Sequence, residues 1–310
     1  MEEGHLFLFL YSNFIHFNHL TKDTNCYILQ LMQKFKMIAM DLDGTTLQDD
    51  HETFTPRLIE ALTEAHRNGV LIVPCTGRPY KSIPPAIQNH PVWEGYGIFA
   101  NGEEIRDMRT GEKLQELLVE PHIAETLLDM AEKYDFGIEF YINGFIYLTQ
   151  GTYDKESATE DLLIHQAEVV DKIGIITDDM RGKLKGLEGL ERIQMLCIPE
   201  KVREEIFEKL KPLHISVLSS WMGSEHMEVT HFDAHKGKAL KTLCSMIDID
   251  IKDVIAFGDE GNDVSMIQMA GFGVAMENGP EVVQQAADFV AKANTEDGAA
   301  IAIEKYVLGM

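Results

Sequence analysis

The chain has 310 residues, of which 45% are hydrophobic and 25% charged. This length suggests about two domains, and the balance is that of an ordinary globular protein, which excludes a long disordered chain, a collagen and a disulfide-stapled miniprotein. The formal net charge of −24 disfavours broad nucleic-acid binding, which needs a cationic face, but it allows a small anionic substrate where one local cationic site binds it.

The first 34 residues stand apart from the rest of the chain. Residues 5–17 are rich in Leu and Phe, but the run is shorter than the about 20 apolar residues that span a bilayer. Glu2 and Glu3 stand where a signal peptide would be basic. An interfacial anchor or extra helix is one interpretation. We favour a non-essential N-terminal extension, because the chain could also start at Met32, just before the first convincing strand, or at Met37, near the start of that strand.

A βαβ unit is predicted next along the chain. An apolar run at residues 35–40 predicts a buried strand, and Thr55-Pro56 begins a helix with proline in its first turn. Residues 70–74 predict a second strand, and residues 97–100 predict another. Strand, helix and strand within about 40 residues imply a parallel sheet.

The pattern changes near Pro121. Asn143-Gly144 lies between two β-rich runs, 136–142 and 145–149, and this is the strongest short signal for a hairpin. The remaining predicted elements of this module are helices at 121–134, 156–168 and 200–211 and strands at 193–199, 215–221 and 226–231. The middle of the chain is therefore predicted to be a separate α+β module.

Alternation of helices and strands returns after about Asp233. The predicted elements are helices at 236–247, 262–270 and 281–287 and strands at 253–257, 273–275 and 289–291. We therefore predict an α/β core made of residues 35–114 and 229–310. Residues 115–228 are predicted to be inserted into it.

Acidic side chains follow two of the predicted core strands. Asp41 and Asp43 follow the first strand, and Asp259 and Asp263 follow the strand at 253–257. Ligands bind at the carboxyl ends of parallel strands, so we expect these four carboxylates to converge. A divalent cation relieves the repulsion among like charges, and all-oxygen ligation suits Mg²⁺.

The same strand ends carry the parts that phosphoryl transfer needs. A carboxylate such as Asp41 can attack phosphorus and form an aspartyl-phosphate, while Asp43 can protonate the leaving oxygen and then activate water. Further residues suited to bind phosphate oxygens are Thr76, Gly77 through its amide, Asn262 and Lys236, which opens a predicted helix.

At these residues the chain resembles a known family. Residues 38–45, Ile-Ala-Met-Asp-Leu-Asp-Gly-Thr, resemble the first motif of the haloacid dehalogenase superfamily. Thr76 is similar to the second motif, Lys236 to the third, and residues 258–263, Gly-Asp-Glu-Gly-Asn-Asp, to the fourth. Four motifs in the right order are a specific signal, and the resemblance covers nearly all of residues 35–310.

Three details resemble the Cof-type phosphatases of that superfamily. They are the Thr76-Gly77-Arg78-Pro79 form of the second motif, the long insert before the third motif, and Gly237 after Lys236. The resemblance implies a Rossmann-like parallel-sheet core with an inserted α+β cap of the C2B kind. Within the superfamily, an acidic residue two positions after the nucleophile indicates phosphoryl transfer and not dehalogenation. Asp43 is the residue at that position.

The resemblance assigns roles to the site residues. It implies that Asp41 is the nucleophile and a Mg²⁺ ligand, that Asp43 is the acid/base with its backbone carbonyl on the metal, and that Asp259 is the third protein ligand. Asp263 would orient Lys236 or metal-bound water. The implied phosphate-binding residues are Leu42 through its backbone, Thr76, Gly77, Lys236 and Asn262.

The expected activity is hydrolysis of small phosphomonoesters, such as sugar phosphates or phosphorylated cofactors, with the cap selecting the leaving group. A phosphomutase of the same fold and a catalytically weak phosphometabolite-binding regulator stay open as alternatives. For Arg78, a surface ion pair and a substrate contact are equally favoured. Cap residues proposed for the entrance are Phe140, Asn143, Gly144 and Trp221.

The expected partner is a small phosphorylated metabolite, with no nucleic acid and no membrane, and either a monomer or a homodimer is compatible with the sequence. The four cysteines, which form no CxxC pair, predict reduced thiols in a cytoplasmic protein and argue against a zinc site. They are Cys26, Cys75, Cys197 and Cys244.

Overall fold

The computed structural model describes residues 35–157, 170–219 and 226–310. The predicted N-terminal extension lies outside these ranges. So do most of the helix predicted at 156–168, the end of the strand predicted at 215–221, and Trp221.

Strands and helices are numbered here in chain order. The strands are β1 (Met37–Met40), β2 (Leu71–Pro74), β3 (Tyr96–Phe99), β4 (Glu104–Asp107), β5 (Lys113–Glu116), β6 (Gly137–Ile142), β7 (Phe145–Leu148), β8 (Gly174–Ile176), β9 (Arg192–Leu196), β10 (Ile215–Ser219), β11 (Met227–His231), β12 (Val254–Gly258), β13 (Phe272–Met276) and β14 (Phe289–Ala291). The helices are α1 (Pro56–Arg67), α2 (Pro85–Gln88), α3 (Pro121–Tyr134), α4 (Gln150–Ser157), α5 (Met180–Leu184), α6 (Glu200–Leu210), α7 (Lys236–Met246), α8 (Val264–Met269), α9 (Glu281–Ala286) and α10 (Gly298–Tyr306).

A parallel sheet in the order β14-β13-β12-β1-β2 forms the centre of the core. Strand β1 pairs in parallel with β2 on one side and β12 on the other, so that Met40 lies beside Pro74 and Phe257. The carboxyl ends of β1, β2 and β12 therefore meet at one edge of the sheet. The predicted α/β core with a parallel sheet is confirmed.

Both faces of this sheet are covered, which explains why β1 is an unbroken apolar run. Alternate side chains of β1 point to opposite faces. Met37 belongs to the same buried cluster as Leu240 of α7, whereas Ile38 belongs to the cluster that holds Leu62 of α1. Helices therefore pack on both sides, as in other doubly wound folds.

Helix α1 begins as the sequence predicts. The Thr55 hydroxyl accepts a hydrogen bond from the backbone N–H of Leu58 at 3.2 Å, and Pro56 occupies the first turn. Such a cap satisfies one of the backbone donors that a helix start leaves unpaired. The helix ends at Arg67, and Gly69 follows with a φ of +87°.

The middle of the chain forms a second sheet in the order β10-β11-β9-β6-β7-β8. It is antiparallel except for the β7–β8 pair. The predicted β6–β7 hairpin is present, with Asn143 and Gly144 at φ values of +54° and +70°, the conformation that a two-residue turn between twisted strands requires. Helices α3 and α6 contribute to the core of this sheet, through residues such as Leu127 and Ile206.

A small antiparallel sheet, β3-β4-β5, lies between these two parts in sequence. Strand β5 continues past residue 114 and strand β11 past residue 228, the two boundaries predicted for the inserted module. The division into core segments 35–114 and 229–310 and an inserted cap 115–228 stays a prediction.

Among the described residues, no helix combines the length and the apolar character that a membrane crossing requires.

Candidate active site

Three carboxylates cluster at the carboxyl edge of the parallel sheet. Asp41 directly follows β1, Asp259 directly follows β12, and Asp263 lies in the short turn before α8. One carboxylate oxygen from each lies within 4.8 Å of the others, and all three residues are buried. The sheet topology thus brings together residues that are more than 200 positions apart in sequence.

Lys236 supplies the positive charge inside this cluster. It is the first residue of α7, and its side chain is fully buried. Its Nζ donates hydrogen bonds to Asp41 Oδ1 at 2.7 Å and Asp263 Oδ1 at 2.6 Å. Burial opposes the charge on Lys236, but the nearby Asp263 and Asp41 outweigh this effect and raise the pKa of the ammonium. Lys236 is therefore a permanent cation at this site.

One lysine does not balance three buried carboxylates. Burial, together with the charge of Asp263, raises the pKa of Asp41 well above its usual value. Burial also raises the pKa of Asp259 to about 7, although Thr45 donates a hydrogen bond to its Oδ1 at 2.6 Å. A buried, oxygen-only cluster that carries excess negative charge is the donor set that Mg²⁺ takes. The residues present therefore fit that ion.

Asp263 has a different set of contacts from the other two carboxylates. While its Oδ1 accepts from Lys236, its Oδ2 accepts the backbone N–H groups of Asp259 and Glu260, both at 3.0 Å. Asp263 thereby fixes both the ammonium of Lys236 and the loop that carries Asp259.

Gly44 allows the β1 loop to approach Asp259 closely. Its φ is +69°, and a Cβ added there would lie 2.2 Å from Asp259 Oδ2. Asn278 joins the same loops, since its Nδ2 donates to the carbonyl of Gly44 at 2.9 Å and lies 3.4 Å from Asp259 Oδ2. The close approach of Asp259 to this loop therefore requires glycine at position 44.

The carboxylate of Asp43 lies outside the three-carboxylate cluster. Arg78 donates to it through Nε at 2.7 Å and through Nη2 at 2.5 Å, and His51 Nδ1 lies 2.8 Å away. Burial raises the pKa of Asp43, but the hydrogen bonds and charges of Arg78 and His51 outweigh this and lower it. The structure thus brings together three of the four carboxylates expected to converge, and Arg78 forms an internal ion pair.

The predicted phosphate-binding residues lie around the same edge. Thr76 is fully buried and its hydroxyl accepts the N–H of Arg78 at 3.1 Å. A Cβ added to Gly77 would lie 3.0 Å from Asn101 Oδ1, which accepts a hydrogen bond from Asn262 Nδ2 at 2.8 Å. Gly77, Asn101 and Asn262 are therefore neighbours. Leu42 is buried directly after Asp41.

Sequence reasoning missed the contacts of Thr45, Asn101 and Asn278. Asn101 follows the end of β3 and Asn278 follows the end of β13. A polar residue just after a predicted strand is a signal that could have identified both as site residues. Asn101 also has a positive φ of +57°, which asparagine tolerates better than most residues.

Known proteins are similar to this chain over most of its length. A family model described as haloacid dehalogenase-like hydrolase matches residues 38–303. The chain is 27% identical to the 5-amino-6-(5-phospho-D-ribitylamino)uracil phosphatase YcsE of Bacillus subtilis, covering 88% of this chain and 96% of that protein. It is 28% identical to the phosphatase YbjI of Escherichia coli, which has the same substrate in its name, over 88% of this chain and 96% of that protein.

A solved structure has a similar fold. A haloacid dehalogenase-like hydrolase from Bacteroides thetaiotaomicron superposes with a TM-score of 0.73 at 27% identity, covering 87% of this chain and 99% of that one. The likeness therefore extends over both the parallel sheet and the antiparallel sheet.

Proposed function

This chain belongs to the haloacid dehalogenase-like hydrolase family, and we propose that it is a Mg²⁺-dependent phosphatase of the Cof type. It is an enzyme that acts on phosphate monoesters, and the proposed substrates are small ones, such as sugar phosphates or phosphorylated cofactors. The observation that carries the proposal is the buried cluster of Asp41, Asp259 and Asp263 around Lys236.

In the proposed first step, Asp41 attacks phosphorus and forms an aspartyl-phosphate, while the leaving oxygen takes a proton from Asp43. Lys236 and the backbone around Leu42 and Gly77 hold the phosphate oxygens, and Thr76 and Asn262 complete this set. The cation of Lys236 is already fixed by two carboxylates, so little reorganisation is needed as charge develops on the phosphoryl group.

In the proposed second step, the carboxylate of Asp43 takes a proton from water, which attacks the phosphorus. Inorganic phosphate leaves and the carboxylate of Asp41 is restored. The lowered pKa of Asp43 supports its role as a base at this stage, whereas its role as an acid in the first step requires that its carboxylate be released from Arg78 and take up a proton. Asp41, Asp259 and the backbone carbonyl of Asp43 would hold Mg²⁺, which when bound supplies charge neutralisation for the phosphate.

The middle module is proposed to act as the cap over this site, with residues 115–228 inserted between the two core segments. A contact between the parts supports this. Lys81 Nζ donates to the carbonyl of Asn143 at 2.7 Å, and it lies 3.5 Å from the centre of the Phe145 ring. Closing a cap over an active site excludes water and selects the leaving group.

The proposed partner is a small phosphorylated metabolite, and the proposed location is the cytoplasm. Two observations support the location: the thiols of Cys75 and Cys244 are buried and form no disulfide bond among the described residues, and the named relatives are bacterial phosphatases of a phosphorylated metabolite.

The proposal is tested by measuring inorganic phosphate release from p-nitrophenyl phosphate by the full chain. We expect turnover with Mg²⁺, loss after chelation and recovery on adding Mg²⁺. Negligible turnover together with binding of phosphate esters would favour the regulator instead. Dependence on a bisphosphate activator, with the phosphoryl group returned to sugar, would favour the mutase.

A further inference from the structure

A cavity of about 130 Å³ lies between the core and the six-stranded sheet of the middle module. Its volume far exceeds the ~30 Å³ that one water molecule takes up in the liquid. Core residues on its wall include Pro79 and Ala100, while Asn143 and Gly144 of the hairpin close the other side. Two of the four residues predicted at the entrance, Asn143 and Gly144, therefore line this cavity.

The cavity adjoins the loops of the candidate active site. Pro79 directly follows Arg78, which pairs with Asp43, and Ala100 directly precedes Asn101, the partner of Asn262. The cavity therefore lies beside the loops that are proposed to hold the phosphate of a substrate.

One side chain of the cavity wall has no hydrogen-bond partner. Glu103 is 1% exposed, and neither of its carboxylate oxygens is paired within the part of the chain that the structure describes. Burying such a group without a partner is costly, and an unpaired buried polar group calls for an explanation. Burial raises the pKa of Glu103 well above its usual range, although the charge of Arg192 lowers it, so the neutral acid is favoured.

Arg192, in β9, also lines the cavity and has an unpaired donor. It is 8% exposed, and its Nη1 donates to Glu228 at 2.9 Å, whereas its Nε finds no acceptor among the described residues. Glu103 and Arg192 therefore offer an unpaired carboxyl group, which in its neutral form both donates and accepts, and an unpaired N–H donor. A hydroxyl group complements both, because it accepts from Arg192 and donates to Glu103.

Charged leaving groups fit the cavity less well. Glu104 is held by two hydrogen bonds from Arg106, at 2.7 and 2.9 Å. Lys113 is surrounded by carboxylates, with Glu104 at 3.4 Å and Glu191 at 3.5 Å. A second phosphate would therefore meet several acidic side chains.

A cationic leaving group would find the carboxylates of Glu104 and Glu191 already paired with Arg106 and Lys113. The ring of Tyr80 is already covered by the guanidinium of Arg106, and that of Tyr141 by Arg192, each at 4.3 Å from the ring centre. These aromatic faces are thus not open to a ligand cation.

We propose that this cavity binds the hydroxyl groups of a neutral polyol or sugar leaving group, and that Glu103 is a specificity-determining residue for that class. The inference rests on the proposed phosphatase function. Since leaving a buried hydrogen-bonding site unpaired weakens binding about fivefold to a hundredfold, hydroxyl-bearing esters are preferred over alkyl esters of the same length.

The test compares kcat/KM for sorbitol 6-phosphate and hexyl phosphate with the full chain and Mg²⁺. We expect the unmodified protein to favour the polyol ester by at least about tenfold and Glu103→Leu to lower this ratio by at least about fivefold. Glu103→Gln keeps a donor and an acceptor and should hold the ratio within about twofold. Glu120→Leu, at a side chain 73% exposed, is the matched control and should leave the ratio unchanged.

The ratio is measured on one enzyme sample, so a loss of folded protein cancels out of it. A ratio near one for the unmodified protein overturns the inference even if Glu103→Leu fails to fold. An unchanged ratio in Glu103→Leu overturns it as well. Phosphate release from neither ester, nor from p-nitrophenyl phosphate, would instead contradict the phosphatase proposal itself.

Discussion

Nζ of Lys236 lies 2.7 Å from Oδ1 of Asp41, although 195 positions separate the two residues in the chain. The side chain of Lys236 is fully buried and that of Asp41 is 7% exposed. A buried ion pair contributes little net stability, because desolvation offsets the attraction, but it fixes the orientation of both groups. Here it fixes the carboxylate that the proposed mechanism uses as nucleophile.

Asp41→Asn should abolish turnover, lowering kcat by at least about a thousandfold, because an amide does not attack phosphorus. The fold should persist, since the variant is isosteric and still accepts the hydrogen bond from Lys236. Steady-state hydrolysis of p-nitrophenyl phosphate and thermal unfolding followed by circular dichroism measure the two effects. Asp49→Asn, at an exposed position, is the control and should stay within about twofold of the unmodified protein. Full activity in Asp41→Asn would remove the nucleophile assignment.

Lys236→Ala should lower kcat/KM at least about tenfold, because it removes the cation that faces both the phosphate and Asp41. It should also destabilise the fold by about 3 kcal/mol, since it leaves the buried carboxyl groups of Asp41 and Asp263 without the hydrogen bonds that Lys236 donates. Kinetics and denaturant unfolding give the two values. Lys238→Ala, two residues along the same helix and 46% exposed, is the matched control. A loss under about twofold, or roughly 0.4 kcal/mol, would count against the assigned role.

The positions of Asp41, Asp259 and Lys236 could be predicted because they depend on chain order and periodicity. Each one lies where an apolar run ends or a helix begins, and parallel strands bring their carboxyl ends together. The pairing of Asp43 with Arg78 could not be predicted in this way. It depends on a side-chain rotamer and on the bidentate fit of a guanidinium to a carboxylate.

Strands β4 and β5 and helix α10 were not predicted. Strand β4 reads Glu-Ile-Arg-Asp and β5 reads Lys-Leu-Gln-Glu, and such short charged segments carry too little apolar alternation to be recognised. Helix α10 has Gly or Ala at four of its nine positions, and its burial against α1 comes from tertiary packing. The burial of Glu103 goes against the ordinary preference of glutamate for the surface, which is why only the structure reveals it.

Gly44→Ala should reduce kcat by at least about a hundredfold, because its Cβ would meet Oδ2 of Asp259 at 2.2 Å and displace that carboxylate. Gly111→Ala separates this effect from backbone strain. Gly111 has a similar φ of +76°, against +69° for Gly44, but nothing lies within 4 Å of an added Cβ. The control should cost about 1 kcal/mol in stability and leave kcat unchanged. Equal kinetic losses in the two variants would show that strain, and not the contact with Asp259, limits position 44.

Stability of the metal-free protein should fall as the pH rises from about 4 to about 8. Burial raises the pKa of Asp259 to about 7 in the folded chain, against an ordinary value of 3.8. Between these values the folded state binds more protons than the unfolded state, so raising the pH favours unfolding. Asp259→Asn removes this titration and should make the slope smaller, whereas Asp248→Asn, at an exposed position, should not. Differential scanning fluorimetry across the pH range measures the slope.

Millimolar Mg²⁺ should reverse that loss. A ligand that binds only the folded state stabilises it, and protons compete with the metal for Asp259, so the rise in Tm should be larger near pH 8 than near pH 5. We expect at least about 2 °C near pH 8, the shift that roughly 1 kcal/mol produces in a chain of this size. Asp259→Asn should lose the Mg²⁺-induced rise, and Asp248→Asn should keep it. An equal rise at both pH values, or one that survives in Asp259→Asn, would place the metal away from the buried carboxylate whose charge the ion is proposed to neutralise.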